Sequence, residues 1–544
     1  MSRRSVRDVA FDVLREYELT TIFANPGSTE VALLAGLPED LRFVLALHEG
    51  SVVGIATGWA IAHVRPALVV LHTAAGLGNA VGALATARAN RAPLVVLVGQ
   101  QDRRHLPLEP FLAGKLGGLA GDYPVWAVQP ALAADVPGAI ARAAHEATTG
   151  RGPALVIVPM DDWAAVVDDT DELRAAPALL RSAGNPDQAT IAELAEAVNA
   201  ARHPALVVGA GADGERSWAA LVSLAGRLDC PVWQEAFGAR AGFPQDDPLF
   251  AGHLPAGRAE LRATLSGYDL VLAVGAPVFR QFSYEPGPLL PHGIRTALVT
   301  DNPSEAHHSP ADLAVLGAPG AVCEALAEAV RVRPRRPVTA TATLKAQVSR
   351  PVDQASGPLR AADVFRALAP RLPADAVVVE ETPSSRAELE ALLPARAPLG
   401  FLSAAMGGLG FAVPAATGVR MARPDRPVVA VVGDGSALYG IHALWTAAHY
   451  SVGVLFVVLA NGRYAIMDDL ADRSGGKPPW PGFGEVRVSE VAQGLGCPAR
   501  RLETTEDLMD QLDQVVPTLR ERSAPLLLDI AVTFPTSPGR PTPS

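Results

Sequence analysis

Cysteine is scarce: Cys230, Cys323 and Cys497 stand far apart in 544 residues and form no CxxC pair. That removes a disulfide framework and points to reduced thiols in a reducing compartment. Long basic runs are also missing, apart from Arg331–Arg336, and the net charge is −11, which speaks against nucleic acid as a partner. No apolar stretch follows the two arginines of MSRRSVRDVAFDVLREYE, which reads as the start of an amphipathic helix. No export signal is therefore expected, and a cytoplasmic location is. Nor is there a membrane-spanning run. The most apolar long stretch, Pro66 to Ala87, holds His72, Asn79 and glycines at 76, 78 and 82, and divides into strand, turn and helix.

What the chain has is alternation. It is 49% hydrophobic, enough for a sizeable core, and its length suits roughly three domains of about 150 residues. In 1–180, β-rich runs (Thr20–Ala24, Phe43–Leu47, Ala67–Leu71, Pro93–Val98, Ala154–Val158) alternate with helical segments such as Ser51–His63 and Gly78–Arg91. After Asp168 a polar, irregular stretch leads to a second alternating block within 181–340, with strands near Ala205–Val208, Val232–Trp233, Leu270–Val274 and Thr296–Val299. Arg331 to Gly357 is rich in Pro, Thr and Arg and lacks periodicity; 341–357 is its linker portion. A third block fills 358–535, and 536–544 reads as a flexible tail. The fold class expected is α/β, with three doubly wound parallel-sheet domains. In the first and third blocks the polar residues lie at carboxyl ends of strands: Asn25–Ser28, Glu49, His72 and Gln100, then Glu381, Asp434 and Asn461. Ligands bind at that edge of open α/β sheets, and two such edges suggest a site assembled between domains.

The stretch PVVAVVGDGSALYG, from Pro427, sets Asp434 between two glycines where an apolar strand hands over to a helix. That helix is expected over Ser436–Tyr450, capped by Ser436. A bare Gly-Asp-Gly is an ordinary turn with a solvated aspartate, but a second apolar strand, Val454–Leu459, ends just before Asn461. A β–helix–β crossover makes the two strands parallel and brings Asp434 and Asn461 to one edge. A carboxylate and a carboxamide are hard oxygen donors suited to Mg2+, which completes its shell with water and phosphate. The amides of Gly435 and Ser436 open a helix and favour an anion. The combination reads as a metal–diphosphate site.

Together with FANPGSTE, LALHEGSVVGIATGWA, LHTAAGLGNAVGAL and AAMGGLGFAVPAA, these motifs resemble thiamine-diphosphate-dependent enzymes of the pyruvate decarboxylase superfamily, nearest the benzoylformate decarboxylases. The resemblance runs from about residue 6 to 532 and implies an aminopyrimidine-binding domain (1–180), a central Rossmann-like domain (181–340) and a diphosphate- and Mg-binding domain (358–535). It implies thiamine diphosphate and Mg2+ as cofactors, non-oxidative decarboxylation of a 2-oxo acid to an aldehyde and CO2, and carboligation as a further reaction. It also implies a homo-oligomer, a dimer of dimers, in which the first domain of one chain faces the third of another. Glu49 matches the glutamate that bonds the aminopyrimidine ring and promotes deprotonation of the thiazolium carbon. Leu409 matches the bulky residue that bends the coenzyme, and the Gly407 carbonyl accepts from its amino group. Asp434, Asn461 and the main-chain oxygen of Arg463 are the implied metal ligands. Gly435, Ser436, Tyr464, Ser384 and Asn79 complete the cofactor set. Ser28 would bond the substrate carboxylate and His72 would move protons.

Departures fall in the substrate pocket, where Ser28, His72, Phe282, Ser403, Ile466 and Leu470 are expected. Phe282 stands where those decarboxylases carry a second histidine and cannot donate a proton. Protonation of the decarboxylated carbon then falls to His72 or water, or a second aldehyde captures it. Ser403, Ile466 and Leu470 also differ from the pattern, so benzoylformate itself is not assured as substrate. Pro383 replaces a threonine that contacts the diphosphate, leaving Ser384 as candidate. A competing signal is GAGADG, from Gly209, with Glu235 beyond the next apolar run. Alone it would suggest an NAD or FAD oxidoreductase. A non-catalytic relative that binds the coenzyme is the remaining alternative.

Overall fold

The computed structural model describes residues 3–168, 176–177, 186–334 and 358–534. The linker at 341–357, the tail at 536–544 and most of the stretch after Asp168 lie outside these residues. So do the sequence-read domain limits, or they fall immediately beside this region.

Three six-stranded parallel sheets form the molecule. The first runs, in spatial order, Arg42–Leu45, Thr21–Asn25, Ala67–Leu71, Leu94–Gln100, Pro153–Pro159, Trp126–Val128. The third runs Phe401–Ser403, Val377–Glu381, Val428–Gly433, Leu455–Ala460, Leu526–Ala531, Ala499–Leu502. Numbered by sequence within each sheet, both orders are 2-1-3-4-6-5, so the first and third domains are topological copies. The central sheet is Phe250–His253, Val232–Gln234, Pro204–Val208, Leu270–Val274, Arg295–Thr300, Leu313–Leu316, which is 3-2-1-4-5-6. Central strands such as Ala67–Leu71 and Leu270–Val274 are buried at every position, because helices cover both sheet faces.

In a 2-1-3 arrangement the connection from strand 1 runs one way to strand 2 and the connection from strand 2 crosses back over strand 1 to strand 3, so a crevice opens between the carboxyl ends of strands 1 and 3. In the first sheet that crevice lies between Asn25 and His72, with Asn25 paired to Leu71. In the third it lies between Glu381 and Asp434, with Glu381 paired to Val432.

The first and third domains share one hydrophobic core. Helices Glu49–His63 and Ala412–Ala422 cross at glycines. A Cβ on Gly58 would lie 2.1 Å from the Ala415 carbonyl oxygen, and one on Gly418 1.9 Å from that of Ile55. Only glycine lets the backbones approach this closely.

The N-terminal helix expected from the sequence is Val6–Glu16, capped by Ser5, but it is preceded by Arg3–Ser5 paired antiparallel to Val166–Asp168. The helix expected from Gly78 begins five residues earlier, at Thr73, straight after its strand. The Ser436–Tyr450 helix is two, Asp434–Gly440 and Ala443–His449, and Gly433 rather than Ser436 precedes it. Asp434 enters the first turn, where its carboxylate takes the Gly435 amide. The break follows Gly440, where a Cβ would meet the Gly410 carbonyl oxygen at 3.0 Å.

Candidate active site

At the crevice of the third sheet, Asp434 organises the loop that follows the next strand. Its Oδ1 accepts the Gly435 amide at 2.8 Å, and its Oδ2 accepts those of Asn461 at 2.8 Å and Gly462 at 2.6 Å. Asn461 Oδ1 accepts the Arg463 amide at 2.9 Å, which fixes the carboxamide orientation. Gly462 needs its φ of +68°, and a Cβ there would meet Gly484 at 2.8 Å. Burial raises the pKa of Asp434; the three amides lower it but do not win. A buried carboxylate left net-penalised, with no cationic side chain paired to it among the described residues, beside an aligned carboxamide oxygen, suits a divalent ion. Among the described residues no three His, Cys, Asp or Glu side chains converge on a metal site. A single-carboxylate set therefore fits a metal that draws its remaining ligands from water and phosphate.

Around this loop, Gly435 faces Tyr464 and Phe483, whose rings would lie 2.7 and 3.2 Å from a Cβ. Ser384 Oγ accepts the Ile466 amide at 3.0 Å, which sets Ser384 against the start of helix Ala465–Arg473, the helix that carries Ile466 and, one turn on, Leu470. Ser436 is buried. Glu381 turns away from the crevice. It accepts the amides of Gly410, Phe411 and Ala412 at 2.6–2.8 Å and so anchors the start of Ala412–Ala422. Burial nevertheless pushes its pKa up to about 7. Its position at a strand end thus marks a structural acid.

At the crevice of the first sheet, Glu49 opens the helix Glu49–His63 and is buried. Its Oε1 accepts from Asn25 at 3.2 Å and its Oε2 from Asn79 at 3.1 Å. His72 ends the neighbouring strand. Its Nδ1 lies 3.0 Å from Thr29 Oγ1 and 3.1 Å from Glu30 Oε2. Glu30 is 2% exposed and also takes the Gly27 amide at 2.7 Å. A carboxylate at Nδ1 selects the tautomer with its proton there and leaves Nε2 to exchange one with a ligand. Gly27 is obligatory, since a Cβ would sit 2.4 Å from the imidazole. Ser28 is exposed on the same lip. Thr29, Glu30 and Asn25 were not singled out by role from the sequence. For Thr29 and Glu30 the one signal was the run FANPGSTE itself, while Asn25 was also marked by its place at a strand end.

One further feature flanks this lip. Gln100 Nε2 donates to Gly114 O at 2.9 Å, and a Cβ on Gly114 would touch Ala74 at 2.6 Å. This fixes the loop carrying Phe111 (88% exposed) and Leu112 beside the start of the helix that follows His72. Phe282, 59% exposed, meets Phe237 edge-on at 6.3 Å. Ser403 does not line an open pocket in the chain. It is 1% exposed, and its backbone bonds Asn90 and Ala239. Nothing bonds Glu49 or His72 to Asp434 or Asn461 among the described residues: each half-site is complete only within its own sheet.

The GAGADG loop is closed on itself. Gly211 N donates to Gly275 O at 2.8 Å and Gly209 N to Val274 O at 3.2 Å, across the central switch point. Buried Glu235, pushed up to about 7 by desolvation, stands against Gly209, and Asp213 is tied to the Leu399 amide at 2.9 Å. The geometry lends no support to a dinucleotide.

The topology and the paired half-sites are those of a thiamine-diphosphate enzyme, and the chain belongs to that family. Residues 4–117, 191–326 and 384–530 match, in turn, the N-terminal TPP binding domain, the central domain and the C-terminal TPP binding domain of thiamine pyrophosphate enzymes. The chain is 38% identical over 537 residues to benzoylformate decarboxylase of Pseudomonas aeruginosa, covering 97% of this chain and 98% of that one. It is similar to the solved Rhodococcus jostii RHA1 thiamine diphosphate-dependent 4-hydroxybenzoylformate decarboxylase, with a TM-score of 0.92 and 36% identity over 98% of this chain and 100% of that one. Benzoylformate decarboxylase from Polynucleobacter necessarius aligns with a TM-score of 0.89 and 30% identity, over 97% of this chain and 99% of that one.

Proposed function

We propose that the chain is a thiamine-diphosphate- and Mg2+-dependent decarboxylase of a 2-oxo acid. The observation that carries this is the Asp434–Asn461 loop at one switch point, matched by Glu49 and His72 at the equivalent switch point of a topologically identical sheet. Asp434, Asn461 and the Arg463 carbonyl hold the metal, while Gly435, Ser436, Ser384 and Tyr464 hold the diphosphate. The Gly407 carbonyl, Leu409, Glu49 and Asn79 hold and tune the ring. When bound, the coenzyme supplies a nucleophilic carbon and an electron sink. Ser28 donates to the substrate carboxylate, and Glu30 holds His72 so that Nε2 handles the proton.

The working unit is at least a dimer, with the first domain of one copy closing on the third of another. Met406 (51%), Leu409 (39%) and Tyr439 (56%) are exposed around the coenzyme loop in the single chain, an apolar collar that a second copy would cover. The substrate side chain is apolar, since Ile466, Leu470, Phe282, Phe111 and Leu112 offer it no charge. Carboligation is a second reading favoured by Phe282, which leaves the decarboxylated carbon without a second histidine. The test is a panel of aliphatic and aromatic 2-oxo acids, with and without thiamine diphosphate and Mg2+, read as CO2, aldehyde and hydroxyketone. Absence of coenzyme-dependent CO2 from every acid would refute the proposal. Hydroxyketone in place of aldehyde would favour the second reading.

A further inference from the structure

The segment from Ser403 to Gly410 links strand Phe401–Ser403 to helix Ala412–Ala422 and carries Gly407 and Leu409. Glu381 secures its far end through the Gly410 amide. Its near end is secured from the other two domains. Asn90, at the C-terminal end of helix Thr73–Ala89, is 4% exposed. Its Nδ2 donates to Ser403 O at 2.8 Å and its Oδ1 accepts the Ala405 amide at 2.8 Å. One carboxamide that gives and takes backbone bonds two residues apart imitates a neighbouring β-strand. From the central domain, Arg280 Nη1 donates to Ala405 O at 3.0 Å. Both backbone groups of Ala405 are thus held by side chains of different domains.

Beyond this clamp the backbone turns at once. Gly407 N donates to Ala404 O at 3.0 Å, and Gly407 and Gly410 hold φ of +72° and +89°. A Cβ on Gly408 would lie 3.0 Å from Thr86 Oγ1, one turn before Asn90 on the same helix. Burial falls away along the segment, from Ala404 buried to Met406 and Gly407 exposed. Near Ala405 water could satisfy the backbone, so hydrogen-bond satisfaction alone does not call for two side chains from two domains. A left-handed glycine turn has little rigidity of its own, and a displacement of about 1 Å at a reacting group costs roughly a hundredfold in rate.

We propose that Asn90 and Arg280 are positioning residues that fix the register of Ser403–Gly410, and with it the Gly407 carbonyl and Leu409, toward the coenzyme. This rests on the proposed function, which assigns those two groups to the coenzyme ring.

The test uses the full chain with thiamine diphosphate and Mg2+, comparing the unaltered protein with Asn90→Asp, Arg280→Met and Arg280→Lys. Asn90→Asp keeps the acceptor for Ala405 but sets an oxygen against Ser403 O. Arg280 is exposed, so its variants fold even if Asn90→Asp does not. Three quantities are read: the melting temperature without coenzyme, the coenzyme Kd by calorimetry, and the exchange of the coenzyme's reactive-carbon hydrogen for deuterium by acid quench and NMR. Expected are exchange slowed about tenfold or more in Asn90→Asp and Arg280→Met, partial recovery in Arg280→Lys, and little change in melting for the two exposed Arg280 variants. Exchange equal to the unaltered protein's in Arg280→Met, or losses that merely follow melting temperature, overturns the clamp. An unaltered chain that neither binds the coenzyme nor exchanges its hydrogen overturns the functional reading and the clamp together. Normal exchange in the unaltered chain with unchanged variants overturns the clamp only.

Discussion

Replacing Asp434 by asparagine separates the two things this carboxylate does. Structurally it accepts three backbone amides, from Gly435, Asn461 and Gly462. An asparagine can keep its oxygen on the Asn461 and Gly462 amides and lose only the bond to Gly435, a cost of about 1–3 kcal/mol. Against this, the variant removes a buried charge. Because folding raises the pKa of Asp434, its ionised form is penalised in the native state. That penalty is absent below the unfolded pKa and grows as pH rises through the interval up to the folded one. Asp434→Asn in the coenzyme-free protein should therefore melt slightly below the parent in acid and draw level with or exceed it at neutral pH. Coenzyme affinity should behave quite differently. Losing the single carboxylate that meets the metal removes a charge-assisted contact of about 3 kcal/mol or more, at least a hundredfold in Kd. Asp434→Ala, which orphans all three amides, should instead lose upwards of about 3 kcal/mol of stability even without coenzyme. The assays are thermal melts across pH and calorimetric titration with thiamine diphosphate in Mg2+. An Asp434→Asn protein that binds coenzyme like the parent would refute the reasoning and leave the aspartate as a turn-former.

Three other outcomes can be checked. Glu30→Gln weakens the charge-assisted bond to His72 Nδ1 and should lower kcat roughly tenfold or more while coenzyme Kd stays put, so unaltered kcat would contradict its role. Gly418→Ala drives a methyl to 1.9 Å from the Ile55 carbonyl and should cost about 2–4 kcal/mol in denaturant unfolding; an unchanged midpoint would contradict the close crossing. Glu235, raised to about 7, favours its protonated form in the folded state, so native stability is lost as pH climbs from the unfolded value toward 7. Glu235→Gln should therefore gain in melting temperature relative to the parent between acid and mildly alkaline pH, and a pH-independent difference would count against that buried acid.

Much of this architecture was legible because burial on both sheet faces leaves an unbroken apolar record. Ala67–Leu71 and Leu270–Val274 have the limits their sequence suggests. Edge strands such as Trp126–Val128 and Ala499–Leu502 are three and four residues long and mostly half-exposed, so no apolar run marks them. The meeting of Asp434 and Asn461 follows from a local rule, that one crossover makes neighbouring strands parallel. The close approach of Gly410 at Gly440, where the helix breaks, does not, since it arises only from tertiary packing. Glu30 and Asn90 were silent for the same reason: a buried acid and a helix-end asparagine acquire meaning only from His72 and Ala405, brought to them by tertiary packing. Glu381 shared the edge with the site residues, yet its partners are the three amides of a helix start.

Under the proposed function each coenzyme is gripped by Asp434 of one copy and tuned by Glu49 of another. Glu49→Gln and Asp434→Asn chains carrying different tags would each be inactive as homo-oligomers, and the mixed dimer, isolated on both tags, is the species to assay. If the site spans two copies, one of its two sites is free of both substitutions and about half of parental decarboxylase activity returns. If instead each site lies within one chain, both sites of the mixed dimer carry a lesion, and the absence of recovered activity would contradict the account.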